Sequence, residues 1–161
     1  MTRGLQVAVV GRGVDDDELS PLAAEVGRLL GEAGATIVCG GLGGVMESVA
    51  RGAVEAGGTV IGIVPGDDPR SANVHCTHVI ATGIGHARNL SVVGSADAVI
   101  AIGGEWGTLA EIAFARRLGR PVVALESWRV SGRGEMEGGP GIEAADTPGQ
   151  AVEVALAAAR R

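Results

Sequence analysis

Short apolar runs alternate with helix-patterned stretches along the chain, and almost every joint between them carries glycine. Residues 5–10, 36–39, 59–64, 97–102 and 121–125 read as near-continuous Val, Ile and Ala runs, the pattern of parallel strands buried on both faces. Residues 78–81 read as a further short strand. Between them, Ser20-Pro21 offers an N-cap followed by proline at the first helical position. Leu22, Val26, Leu29, Leu30 and Ala33 follow at helical spacing until Gly34. Met46, Val49, Ala50, Ala53 and Val54 stripe a second helix, and residues 86–95 predict a third. Thr108 opens a fourth, with Leu109, Ile112, Ala113 and Leu118. Thr147-Pro148-Gly149-Gln150 is a capping box for the last, which carries Val152, Leu156 and Ala159.

With right-handed crossovers, this alternation predicts an α/β chain: a Rossmann-like, doubly wound three-layer sandwich on a mostly parallel sheet. The 161 residues suit one domain, residues 1–161, with no linker and no internal repeat. Residues 127–145, rich in glycine and charge, are expected to be a flexible loop, a lid or an interface arm.

Composition removes whole classes of chemistry. The chain has no lysine and no tyrosine, and its aromatics are Phe114, Trp106 and Trp128. Without lysine there is no Schiff base to pyridoxal phosphate and no phosphate-loop lysine. The 28 glycines show no collagen period and sit beside apolar runs, which points to tight turns or backbone facing a ligand. Net charge is -6. The basic clusters, Arg116, Arg117 and Arg120, then Arg160 and Arg161, fall at helix ends, where cations suit the macrodipole. No basic face with stacking aromatics is evident, so nucleic acid is not an expected partner. Cys39 and Cys76 are too few for a disulfide framework. No apolar stretch reaches ~18 residues and the start lacks a signal-peptide core, so neither a membrane span nor export is expected. The cytoplasm is the expected compartment.

In such sheets ligands bind where strands end and helices begin. The first such loop, Gly11-Arg12-Gly13-Val14-Asp15-Asp16, has Asp16 where a dinucleotide fingerprint needs its third glycine, and no acid follows the second strand; NAD is disfavoured. The second loop, residues 40–44, places Gly40, Gly41, Gly43 and Gly44 before a helix N-terminus, where backbone amides and the helix dipole favour an anion. The third, residues 103–108, repeats the design and adds the Thr108 hydroxyl. Two such loops point to a phosphorylated ligand. Glu111 lies three residues further on and is expected to face back toward that loop. His75, Cys76 and His78 cluster in sequence, but strand alternation puts His75 and Cys76 on opposite faces and no fourth ligand is evident, so no metal site is expected. Cys39 and Met46 fit the core. His86 is either a surface cap or a ligand contact. Trp106 is placed to stack on a base, and Trp128 to cover the mouth or meet a second subunit.

Gly103-Gly104-Glu105-Trp106-Gly107-Thr108-Leu109-Ala110-Glu111 resembles the PGGxGTxxE motif of the LOG family, once labelled lysine decarboxylases, whose members are cytokinin riboside 5'-monophosphate phosphoribohydrolases. Cys39-Gly40-Gly41-Leu42-Gly43-Gly44-Val45-Met46-Glu47 and the stretch from Glu55 to Gly66 are similar to that family's other phosphate-binding region. Gly83-Ile84-Gly85-His86-Ala87-Arg88-Asn89 resembles a shorter branch, the molybdenum cofactor carrier-like proteins. The resemblance spans residues 5–125. It implies Glu111 and Arg88 as catalytic residues. It also implies a ligand-binding set of Gly11, Gly40, Gly41, Gly43, Gly44, Met46, Glu47, Asn89, Gly103, Gly104, Trp106, Gly107 and Thr108. Two functions follow from it: hydrolysis of a nucleoside 5'-monophosphate to free base and ribose 5-phosphate, or non-catalytic carriage of molybdenum cofactor or sensing of a nucleotide. Neither requires a resident cofactor, the molybdenum cofactor entering as cargo, and a homodimer or homotetramer is implied. The chain departs from the LOG pattern in Ile102 for the motif proline, Asn89 for the lysine after the arginine, and the acidic Glu105. The decarboxylase label has no support in a chain without lysine.

Overall fold

A computed structural model describes residues 3–131 and 141–161. Its strands are β1 (Gln6–Gly11), β2 (Thr36–Cys39), β3 (Val60–Val64), β4 (His78–Ala81), β5 (Ala98–Ile102), β6 (Val122–Leu125) and β7 (Ile142–Ala145). They form one all-parallel sheet in the order β4-β3-β2-β1-β5-β6-β7. The helices are α1 (Leu19–Glu32), α2 (Val45–Glu55), α3 (Arg88–Gly94), α4 (Trp106–Arg117) and α5 (Pro148–Ala159). The Rossmann-like α/β sandwich expected from the sequence is the fold found.

Alternation along each central strand divides the core in two. Val7 and Val9 of β1, Ile37 of β2 and Ile100 of β5 pack with Val26, Leu30, Val49 and Val152 beneath α1, α2 and α5. Ala8, Val10, Val38 and Val99 point the other way, to Val92, Val93, Ile112 and Ala115 of α3 and α4. Both layers exclude water, which is why β5 and β6 are buried at every residue and read as unbroken apolar runs.

The contact between α1 and α2 depends on glycine. A Cβ on Gly27 would overlap the Val49 carbonyl oxygen, and one on Gly52 would overlap that of Ala24. A Cβ on Gly31 would sit 2.9 Å from the Ala53 oxygen. Each of these glycines weakens its helix by about 1 kcal/mol relative to alanine; what they allow is backbone-to-backbone packing.

Three local expectations need correction. Residues 127–145 are not loop throughout: Ile142–Ala145 is β7, paired parallel with β6 from Val122–Ile142 to Leu125–Ala145. Its sequence, Ile-Glu-Ala-Ala, is that of a half-exposed edge strand and lacks the apolar run that marks the buried ones. Residues 126–131 carry no regular structure, and the rest of the expected arm, 132–140, lies outside the described residues. Second, α1 starts at Leu19 and not after Ser20, because Asp16 Oδ1 accepts from the amides of Glu18 and Leu19, both at 3.0 Å, and closes the first turn from outside. Pro21 still falls within the first turn, where its missing N–H costs nothing. Third, residues 86–95 divide into a 3-10 turn, Gly85–Ala87, and α3. The capping of α5 is as expected, with Thr147 Oγ1 accepting from the Gln150 amide at 3.2 Å.

The chain leaves β1 toward β2 and leaves β5 toward β6, in opposite directions across the sheet. The loops after β1 and β5 therefore part and open a crevice at their carboxyl ends, the position where open α/β sheets bind ligands. No helix among the described residues is long and apolar enough to cross a membrane.

Candidate functional site

The loop after β2 is built on close approach. A Cβ on Gly40 would lie 2.6 Å from Met46 Sδ and 2.8 Å from Arg88 Nη2. Gly41 (φ 74) and Gly44 (φ 63) hold left-handed backbone that favours glycine, and a Cβ on Gly44 would overlap the Arg12 carbonyl oxygen. That same oxygen accepts from the Val45 amide at 2.9 Å, tying the start of α2 to the loop after β1. Asn73, which belongs to no motif, pins this loop: its backbone amide donates to Gly41 O at 2.8 Å and its Nδ2 to Leu42 O at 2.9 Å. Gly43 lies against Gly13. Glu47 sits half-buried in the first turn of α2.

The loop after β5 is equally tight. Gly103 (φ 57) and Gly104 (φ 114) take conformations open to glycine, and a Cβ on Gly104 would collide with the buried Thr108 side chain. A Cβ on Gly11 would strike the Ile102 carbonyl, so β1 and β5 meet backbone to backbone at the mouth of the crevice. Gly107 faces open space.

Between these loops lies a set of buried polar residues: Ser48, Arg88, Asn89, Thr108 and Glu111. Arg88 begins α3 and runs its guanidinium under the ends of β2 and β3. Its Nε donates to Ile63 O at 2.9 Å and its Nη2 to Gly40 O at 3.3 Å, while Nη1 bonds Asn89 Oδ1. Hydrogen bonds to fixed carbonyls are what make a buried guanidinium tolerable. Burial lowers its pKa, and the charges of Glu111 and Cys39 oppose that shift.

Glu111, 7% exposed, has no hydrogen bond among the described residues to offset its burial. Burial pushes its carboxyl up to about 7, against the opposing pull of Arg88. Near neutral pH it is present in both forms, able to donate as an acid or accept as a carboxylate. A carboxyl tuned this way in a crevice is a functional-site signature.

A cleft of about 540 Å³ opens on the other side of the Gly103–Gly104 loop. Arg12, Glu105, Glu126, Ser127, Trp128 and Arg129 line it. The segment after β6 is stapled to the loop after β5: Ser127 Oγ donates to Gly103 O at 2.5 Å and Trp128 Nε1 to Glu105 O at 3.2 Å. Trp106 packs on Trp128 with ring centroids 5.4 Å apart and planes tilted by 35°. It is 76% exposed and stands outside the cleft wall, so the indole lining the cleft belongs to Trp128. Glu126 has φ 49, the one non-glycine left-handed residue among those described, a conformation that costs about 1 kcal/mol.

The remaining candidates fall elsewhere. Cys39 is fully buried and Cys76 half-buried. Cys76 Sγ fills the space that a side chain on Gly62, the β3 partner of Cys39, would take. The interaction with Cys76, together with burial, holds the Cys39 thiol well above its ordinary pKa, and the same interaction lowers that of Cys76 against the opposing effect of burial. His86 is exposed. Among the described residues, His75, Cys76 and His78 form no group able to hold a metal ion.

The profile of the SLOG cluster4 family matches residues 4–157. An uncharacterized protein of Archaeoglobus fulgidus is 43% identical over 122 residues, 76% of this chain and 80% of that protein. Among solved structures, the molybdenum cofactor binding protein of the phototrophic bacterium Rippkaea orientalis superposes with a TM-score of 0.86 at 28% identity, covering 98% of both chains. The molybdenum cofactor carrier protein of Chlamydomonas reinhardtii superposes with a TM-score of 0.83 at 26% identity, covering 99% of this chain and 100% of that one.

Proposed function

The chain belongs to the SLOG cluster4 family, and from that footing we propose that it binds a phosphorylated, nucleotide-like ligand and releases it unchanged, with molybdenum cofactor as the leading cargo. The ligand's phosphate rests on the loop 40–44 and on residues 103–108, the loop after β5 with the first turn of α4. With no lysine in the chain, its recognition falls to backbone amides, the Thr108 hydroxyl and arginine.

The observation that carries the reading is the engagement of Arg88. Two of its nitrogens already hold the carbonyls of Ile63 and Gly40, and a third is taken by Asn89. An arginine so occupied braces the site and is poorly placed to follow a departing base. The two molybdenum cofactor proteins that share the fold over nearly their whole length support the same choice.

A second reading rests on Glu111. Its carboxyl, near 7 and beside Arg88, suits the stabilisation of an oxocarbenium-like transition state or the orientation of water. The activity would be phosphoribohydrolysis of a nucleoside 5'-monophosphate. One experiment separates the two: incubation with nucleoside monophosphates and, under anaerobic conditions, with molybdenum cofactor, reading thermal stabilisation and free base in parallel. Saturable stabilisation without base release supports the carrier. Base release that disappears in Glu111→Gln moves the assignment to the hydrolase. No stabilisation by any phosphorylated ligand removes both.

Self-association is part of the proposal. Leu90 on α3, Phe114 on α4 and Leu118 just past the end of α4 remain exposed where the two helices pack together over one face of the sheet. Light scattering after size exclusion is expected to give a dimer or tetramer, and a monomer at high concentration contradicts it.

A further inference from the structure

We propose that Cys39 and Cys76, the chain's two cysteines, are an oxidation site. Hydrogen peroxide converts them into an intramolecular disulfide that staples the Gly40–Gly44 loop to the segment before β4. Cys39 closes β2 beside Gly62, its register partner on β3. Partners in register face the same side of the sheet, one strand spacing of ~4.8 Å apart. A Cβ on Gly62 would lie 2.6 Å from Cys76 Sγ and 3.4 Å from Cys76 Cβ. The Cys76 sulfur therefore fills the place beside Cys39 that a side chain at position 62 would take. Both cysteines pack in the same core layer, with Ile37 and Val60. A disulfide joins Cβ atoms ~3.5–4.5 Å apart, close to that spacing, so the bond asks for side-chain rotation and a small backbone adjustment.

The two sulfurs differ in access, and this orders the steps. Cys39 is closed to solvent, whereas Cys76 is half-buried and can meet a small oxidant. The interaction with Cys39 lowers the Cys76 pKa, burial opposes it, and the Asn73 side chain lowers it further, which favours thiolate at the accessible member. The Cys76 thiolate attacks one peroxide oxygen. An S–O bond forms, the O–O bond breaks, and the departing hydroxide takes up a proton to become water. Cys39 then attacks the Cys76 sulfur: an S–S bond replaces the S–O bond, and the Cys39 proton leaves with hydroxide as the second water. Two thiols lose two electrons and two protons, and one peroxide becomes two waters. The new bond runs alongside contacts already present. Asn73 donates its backbone amide to Gly41 O at 2.8 Å and its Nδ2 to Leu42 O at 2.9 Å, and the Cys76 amide donates to Asn73 O at 3.3 Å. The disulfide makes covalent a link between the same two segments that hydrogen bonds hold reversibly.

The test uses the whole chain, reduced, freed of reductant and exposed to a few equivalents of hydrogen peroxide. The intact mass is expected to fall by about 2 Da as both free thiols disappear. Cleavage after arginine is expected to leave residues 29–51 and 71–88 joined, and dithiothreitol to separate them. In the disulfide form, amide hydrogen exchange across residues 40–44 is expected to slow about tenfold or more. Cys39→Ala is expected to stop at a sulfenic acid on Cys76, trapped by dimedone. Cys76→Ala is expected to keep its buried Cys39 thiol through the same exposure. Four wild-type results overturn the proposal: sulfinic acid at Cys76 beside a free Cys39, a disulfide between two chains, both thiols untouched, or a disulfide that leaves exchange at 40–44 unchanged. These readouts require neither variant to fold and no ligand, so the disulfide can fail while the binding reading stands, and the reverse.

Discussion

Glu111 and Arg88 sense each other's charge without forming an ion pair, because the guanidinium is tied to the carbonyls of Ile63 and Gly40. Burial therefore wins at Glu111, and the carboxyl titrates near 7 in the folded chain against 4.5 in its ordinary state. The folded protein binds the extra proton between those two values, so stability falls as pH rises from 4.5 through 7 and the cost is fully present above 7. That cost is on the order of 3 kcal/mol. Glu111→Gln is expected to exceed the wild type in stability at pH 8 by up to that amount and to match it at pH 4. Urea unfolding at the two pH values checks this; a variant no more stable at pH 8 contradicts the buried, unpartnered carboxyl.

Arg88→Met removes the bridge between β2 and β3. It leaves the Gly40 and Ile63 carbonyls without their partner and takes away the one charge that holds the Glu111 pKa down. A loss of about 2–4 kcal/mol is expected, with the Glu111 titration moving upward. Thermal denaturation gives the first and the pH dependence of stability the second. Arg88→Lys is expected to recover only part of the loss, since a point charge cannot reproduce the fork.

Two glycine replacements are expected to act in opposite directions. Gly52→Ala gains helix propensity but drives a methyl into the Ala24 carbonyl, so it is expected to destabilise by about 1–3 kcal/mol. Gly149→Ala, in the first turn of α5 with nothing within 4 Å of the new methyl, is expected to stabilise by up to ~1 kcal/mol. Denaturant midpoints of the pair, measured side by side, test whether the α1–α2 contact is as close as described.

Asn73→Ala releases the side-chain bond that holds the Leu42 carbonyl while leaving the Asn73 amide in place. A stability loss of about 1 kcal/mol is expected. Phosphate affinity should drop several-fold through loosening of the 40–44 loop. Unchanged affinity for ribose 5-phosphate would place the anion elsewhere.

The central strands were legible in the sequence because burial on both faces leaves an unbroken apolar run, as in β5 and β6. The glycine loops were legible because Gly41, Gly44, Gly103 and Gly104 all take positive φ at strand-to-helix joints. β7 escaped because an edge strand needs no such run. Gly27 and Gly52 escaped for another reason: a glycine inside a helical pattern looks like a defect until the partner helix is in place. Arg88 was read from its motif as a group for the ligand, and its bond to Ile63 O joins residues 25 apart in sequence that no local pattern connects. Asn73 and Glu126 gave no pattern at all, since each matters through backbone geometry.

The position of β1 also bears on how the protein is made. β1, the middle strand of the sheet, is synthesised before both of its neighbours, and the second of them, β5, begins only at Ala98. Until then β1 can pair with β2 alone and offers its other side as an open, largely apolar edge. Nascent chains stalled before residue 98 are thus the species most exposed to aggregation, and chaperone demand should peak over that length of translation.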